Sequence, residues 1–311
     1  HENVSGILAV GTTGESPTLD WNEHNKVIGR VIEFLDNKGV TIAGTGSNST
    51  DEAIEATAHA QRMGVKYVLL VDPYYNGPSS LEICREYIGP IARQFPDVQL
   101  IPYIIPGRTG TQILPQDLAT LHKIFPNVCN VKEATGSLNN VESIRKLCGK
   151  DFAILSGEDD LTYSMITSPE IAGNGVVSVT SNIAPRAVSD MIRHIQQGNI
   201  AQAQQLNQAL KPLFDIITVK TQEPTDFGPV LCKARNPLAY KTLMNILGMP
   251  SGPCRRPLGK MTRNGIEVVL AAIRTVYENN PEILIPIENF FDVDLKQRLY
   301  NEKFLERLYY A

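Results

Sequence analysis

A regular alternation constrains this chain more than any other feature. Seven short apolar runs, at residues 6–10, 40–44, 66–71, 99–104, 128–132, 152–156 and 175–179, alternate with stretches of helical periodicity. Runs this short and largely apolar read as strands buried on both faces of a parallel sheet. Helix starts lie between them. Asp20 precedes a helix expected over 21–35, with Glu23 placed to complete a capping box. Asp51 precedes 52–63, Ser79 or Ser80 precedes 81–93, Pro115 opens 116–124, Ser137 or Asn139 precedes 141–147, and Pro185 opens 186–197. Repeated βα units imply a parallel sheet with right-handed crossovers.

Seven such units are one short of the eight that close a (β/α)8 barrel. The expected fold is therefore α/β. Residues 1–199 form a (β/α)8 barrel whose first βα unit is missing from this chain, which would expose two sheet edges. An open doubly wound sheet is the alternative. Gly44-Thr45-Gly46 lacks the third glycine of a dinucleotide-binding turn, so support for that fold is weak. After Asn199 the alternation stops. Helices are expected over 201–213, 237–247 and 265–279 with no clear strand between them, which makes 200–282 a C-terminal helical region. Residues 283–311, rich in Tyr, Phe and Leu with mixed charge, read as an amphipathic packing tail.

Charge and composition remove several functions. The chain carries 29 Lys and Arg against 33 Asp and Glu, a net −4, without the basic excess of a nucleic-acid-binding protein. It has no apolar run of ~18 residues that would span a membrane. Its first residues resemble neither a signal nor a transit peptide. The five cysteines, Cys84, Cys129, Cys148, Cys232 and Cys254, are odd in number and widely spaced. They support neither a disulfide framework nor a zinc site and fit reduced thiols in the cytoplasm. No metal and no organic cofactor is expected.

In a barrel of this kind the chemistry sits where the strands end. The first strand ends in Gly11-Thr12-Thr13-Gly14-Glu15-Ser16, whose glycines and hydroxyls suit a small carboxylate or simply make a turn. The third ends in Asp72-Pro73-Tyr74-Tyr75-Asn76, where the tyrosines either pack or relay protons. The fourth runs through Tyr103 to Pro106-Gly107-Arg108-Thr109-Gly110. Arg108 suits a bidentate carboxylate contact, although a lone loop arginine is more often merely solvated. The fifth closes on Lys132 in Val131-Lys132-Glu133-Ala134-Thr135-Gly136. A lysine at the end of an inner strand either snorkels to solvent or serves as a desolvated amine that attacks a ketone and forms a Schiff base. Lysine, tyrosine and carboxylate cradle together are what a keto-acid Schiff-base enzyme needs.

These motifs, followed by Gly175-Val176-Val177-Ser178-Val179-Thr180, occur in one order. The sequence thereby resembles the dihydrodipicolinate synthase / N-acetylneuraminate lyase family of pyruvate-dependent class I aldolases, from about Ile7 to the 236–258 region. Arg108 resembles the synthase branch. The resemblance implies condensation of pyruvate with aspartate 4-semialdehyde on the way to lysine. Lys132 would form the pyruvate imine, and Tyr103 would be the general acid and base. Thr12 and Tyr75 would complete a proton relay, Tyr75 reaching in from a neighbouring subunit. Thr13 would hold the pyruvate carboxylate and Arg108 that of the semialdehyde, with Gly157 and Val177 lining the site. The resemblance also implies a homotetramer, and feedback inhibition by lysine bound at Ser16, Trp21, His24, Asn48, Glu52 and Tyr74. The alternatives are another pyruvate aldolase, acting on N-acetylneuraminate or a 2-keto-3-deoxy sugar acid, and a non-catalytic pyruvate-binding relative. The chain departs from the family pattern at Ile104-Ile105, where Asn-Val is more usual, and in a longer tail beyond about Met261.

Overall fold

The computed structural model describes residues 4–310, which fall into two compact units, 4–178 and 179–310. The first unit holds a parallel sheet of seven strands: β1 (Gly6–Ala9), β2 (Val40–Gly44), β3 (Tyr67–Val71), β4 (Gln99–Ile104), β5 (Asn130–Glu133), β6 (Ala153–Ser156) and β7 (Gly175–Val176). Spatial order follows chain order from β1 to β7. A doubly wound sheet reverses its strand order at a switch point, so consecutive order excludes that alternative.

The two-residue period of the strands sorts their side chains into two layers. Ala9, Ala43, Val68, Leu70, Leu100, Ile104, Val131 and Ile154 pack with the helices in one cluster. Leu69, Ile101, Tyr103 and Ala134 form a second, joined by Leu8, Ile42, Val71 and Ile105. Because apolar residues serve both faces, the strands read as continuous apolar runs rather than alternating ones.

Helix starts obey their caps. Asp20 accepts the Glu23 N–H and Glu23 reaches back to Asp20, which fixes the start of α1 (Trp21–Leu35). Ser49, not Asp51, caps α2 (Thr50–Arg62), and Ser137 caps the helix Leu138–Cys148. The helix expected over 81–93 is interrupted. Ser80–Glu82 leads into a π-helical turn, Ile83–Ile88, and then into Gly89–Gln94. Pro90 has no N–H to give the Glu86 carbonyl, so the regular ladder breaks there. The Thr50 hydroxyl takes that carbonyl instead, at 2.8 Å.

The second unit contains the helices Pro185–Gln196, Ile200–Asp215, Leu238–Ile246 and Arg263–Asn279. Pro185–Gln196, which the sequence pattern groups with the barrel, belongs to this unit. The expectation of no strand between 213 and 237 is corrected: β8 (Thr218–Glu223) and β9 (Val230–Arg235) form an antiparallel hairpin. Both strands alternate in exposure, and the connection 224–229 supplies the turn residues. The tail folds back on its own unit. Leu295, Leu299 and Leu305 are buried, and the Arg298 guanidinium donates to the Ile246 carbonyl at 2.6 Å and the Asn245 carbonyl at 2.7 Å. Arg298 thereby takes the Ile246 carbonyl at the end of helix Leu238–Ile246 and shares the Asn245 carbonyl with the Gly248 N–H at 3.1 Å.

Candidate active site

Lys132 and Tyr103 are neighbours because β4 and β5 pair in register at these two positions. Lys132 is 7% exposed, so its amine sits inside the sheet mouth rather than in solvent. Its Nζ lies 4.0 Å from the centre of the Tyr103 ring, where the π face attracts an ammonium. Gly157, just past β6, leaves room for the lysine stem. A Cβ there would lie 3.1 Å from Lys132 Cε and 2.7 Å from Ala134 Cβ, so a larger residue would press on the amine-bearing chain. The Gly157 N–H donates to the Glu133 carbonyl at 2.6 Å and that of Val177 to Ser156 at 2.9 Å. Tyr103, Lys132, Gly157 and Val177 thus stand at the ends of four consecutive strands.

Thr12 and Thr13 follow β1 in a tight turn in which the Glu15 N–H donates to the Thr12 carbonyl at 3.1 Å. Both threonines are half-buried. Arg108 lies exposed on a single helical turn, Pro106–Thr109. The Thr109 hydroxyl braces that turn on the Ile105 carbonyl at 3.0 Å and the Thr111 carbonyl at 2.6 Å. Tyr75 stands apart from this group. It is 94% exposed, with φ at 79°, a left-handed value that a side chain rarely adopts.

The six residues expected to bind lysine lie on the loops after β1, β2 and β3 and on α1 and α2, a set of positions termed the rim. Trp21 and His24 meet edge to face with ring centres 4.9 Å apart on α1. The Asn48 side-chain oxygen accepts the Tyr74 N–H at 2.7 Å, and Glu52 accepts from the Ser47 hydroxyl. Ser16 opens a short turn of helix, Ser16–Thr18. His24 is buried, and neither ring nitrogen has a hydrogen-bond partner. Burial, reinforced by the nearby His59, lowers its pKa to about 4.

Two carboxyl groups at the strand ends have no role in the motif reading: Glu158 lies outside the motifs, and Asp72 opens the third strand's end without a function. Glu158 follows Gly157, and its pKa rises to about 7 through burial and the charges of Asp160, Asp159 and Glu133, opposed by Lys132. Its backbone is fixed by the Ser156 hydroxyl, which donates to the Glu158 carbonyl at 2.7 Å and accepts its N–H at 3.2 Å. Asp72 follows β3, fully buried, and burial raises its pKa to about 8 despite one backbone hydrogen bond from Ile113. The signal for both was position: each is a carboxyl within two residues of the end of an apolar strand. Among the described residues no group of His, Cys, Asp and Glu is placed to hold a metal ion, and no helix is long and apolar enough to cross a membrane.

The model of the dihydrodipicolinate synthetase family matches residues 1–275. The chain belongs to this family. A 4-hydroxy-tetrahydrodipicolinate synthase of Methanococcus maripaludis is 41% identical over 264 residues, covering 85% of this chain and 84% of the relative. The solved 4-hydroxy-tetrahydrodipicolinate synthase of the methanotroph Methylacidiphilum fumariolicum superposes with a TM-score of 0.81 at 34% identity, covering 93% of this chain and 88% of that one. The lysine-bound dihydrodipicolinate synthase of Cyanidioschyzon merolae superposes at 0.78 and 35% identity, covering 88% and 86%. The buried lysine and its tyrosine neighbour therefore stand in a dihydrodipicolinate synthetase family sheet.

Proposed function

We propose that this chain is a 4-hydroxy-tetrahydrodipicolinate synthase, condensing pyruvate with aspartate 4-semialdehyde. The observation that carries the reading is the buried Lys132 amine, 4.0 Å from the Tyr103 ring centre on the adjoining strand. The amine adds to C2 of pyruvate and water leaves, giving an imine. Loss of a C3 proton gives the enamine; C3 then bonds to the aldehyde carbon of the second substrate, whose oxygen takes a proton, and that substrate's own amine adds to the imine carbon and expels the Lys132 amine. Tyr103 moves the protons, with Thr12 and a neighbouring subunit's Tyr75 completing the relay. Thr13 holds the pyruvate carboxylate, Arg108 holds that of the semialdehyde, and Gly157 and Val177 shape the floor. The seven strands are seven of the eight in a (β/α)8 barrel. The assembly is a cytoplasmic homotetramer, inhibited by lysine at Ser16, Trp21, His24, Asn48, Glu52 and Tyr74. The exposed Tyr75 and the lysine-bound state of the Cyanidioschyzon relative support this part.

Borohydride reduction in the presence of pyruvate, followed by peptide mass mapping, tests the reading. A stable adduct on Lys132, with turnover of aspartate semialdehyde but not of sugar acids, is expected. No adduct at Lys132 would reject the Schiff-base chemistry. An adduct with turnover of sugar acids alone would reassign the substrate.

A further inference from the structure

Asp72 has no role in the chemistry above, yet it is built into the mouth of the sheet. Its backbone N–H donates to the Tyr103 carbonyl at 3.2 Å, so it is tied to the strand that carries the proposed acid–base residue. Its Oδ2 accepts the Ile113 N–H at 3.1 Å, across 41 positions of chain. Between those two anchor points runs the segment 104–112, which carries Arg108. The remaining oxygen, Oδ1, is buried without a partner. A buried oxygen left unpaired is costly, and such sites persist where something else depends on them.

We propose that Asp72 is a positioning residue: its carboxyl clamps the end of the Arg108 loop onto β3 and so fixes where the second substrate's carboxylate binds. The proposal rests on the synthase reading for its substrate, but not for the clamp itself. Burial raises its pKa to about 8, so at neutral pH the group is mostly uncharged. Its surroundings offer the Tyr87 hydroxyl from the turn Ile83–Ile88 and Tyr74 from the following loop, and Asp72 adds to the burial that raises the pKa of Tyr87. Arg108 stands exposed on the clamped loop, and Glu52 on α2 is engaged by Ser47, whose N–H donates to the Tyr87 hydroxyl at 3.0 Å. No cation forms an ion pair with Asp72 among the described residues. When the carboxyl ionises, a buried charge without a counter-ion must draw in water or move, and the Ile113 end of the loop moves with it.

The test compares the wild type with Asp72→Asn, which keeps an acceptor for Ile113 and cannot ionise, and with Asp72→Ala, which removes the clamp. In the wild type, KM for aspartate semialdehyde rises several-fold as pH passes through about 8, while trapping of the pyruvate imine does not change with it. In Asp72→Asn that rise disappears. In Asp72→Ala, KM is high at every pH. Amide hydrogen-exchange protection over 105–114, taken relative to the intrinsic rate at each pH, reports on the clamp without any substrate: it falls above pH 8 in the wild type, holds in Asp72→Asn and is low throughout in Asp72→Ala. Asp72→Asn profiles that superimpose on the wild type, or exchange that Asp72→Ala leaves unaltered, would overturn the clamp. Absent imine trapping in the wild type would overturn the synthase reading instead, with the exchange data still deciding the clamp.

Discussion

The ends of β4 and β5 and the rim formed by Ser16, Trp21, Asn48, Glu52 and Tyr74 lie in the same compact unit and differ in almost every physical respect. At the strand ends the backbone is paired on both sides, Lys132 and Tyr103 are buried, and their spacing follows from sheet register. On the rim Trp21, Asn48 and Glu52 are exposed, and the groups meet in separate pairs rather than in one cluster. A site that must hold an amine to a fraction of an ångström belongs on the sheet, where geometry is set by the ladder. A site that answers to a regulator, or is completed by another subunit, belongs where side chains are still open to contact.

Substitutions should separate the two regions, and the largest effects fall inside. Lys132→Met should reduce turnover to the uncatalysed background and abolish borohydride trapping. A retained adduct would place the chemistry on another amine. Tyr103→Phe should keep the imine but lower kcat by ~10²–10⁴-fold, the usual worth of a general acid–base group. Steady-state kinetics beside a trapping assay would show this, and loss of trapping would make Tyr103 structural. Arg108→Ala should weaken the use of aspartate semialdehyde by about 10- to 100-fold, the scale of a charge-assisted contact, with pyruvate trapping intact. Equal effects on both substrates would remove Arg108 from its assigned half-reaction.

Effects on the rim should be smaller and should spare catalysis. Glu52→Gln should raise the lysine concentration for half-inhibition by about tenfold without altering kcat, as expected for one contact to an ammonium. Inhibition curves decide this, and a wild type indifferent to lysine would dissolve the regulatory half of the comparison. His24, which lysine inhibition also involves, should show in stability as well. Its pKa is lowered from 6.5 to about 4 in the fold, so the stability it contributes is present above pH 6.5 and lost as pH falls toward 4. His24→Leu should flatten that acid loss by roughly 1–3 kcal/mol in urea titrations at pH 4.5 and 7. Parallel curves for the two proteins would mean that the imidazole is already solvated.

Much of the inner region was legible in the sequence because parallel strands write themselves as unbroken apolar runs, against which Lys132 stands out. Its proximity to Tyr103 followed from their places at the ends of the fourth and fifth strands; the register that sets their spacing did not, since pairing between β4 and β5 is a long-range property. The contact made by Asp72 escaped for the same reason: its bond to Ile113 spans 41 positions. The hairpin at β8 and β9 was missed for a different reason. β8 is largely polar and the apolar run that opens β9 stops at Lys233, so a reading tuned to longer apolar runs passed over the pair. On the rim, residue types could be assigned through family resemblance, but their separation into pairs depended on how α1, α2 and the β3 loop meet.

The consecutive order of the seven strands also bears on how the chain acquires its shape. Each strand pairs with the one made just before it, so no ladder between β1 and β7 waits for a distant stretch of polypeptide. Short loop closures cost less entropy than long ones and let pairing start early. During synthesis, when the N-terminal part of a chain emerges first, each new strand can dock on a neighbour already exposed. Lys132 then arrives against a Tyr103 whose strand has had time to settle.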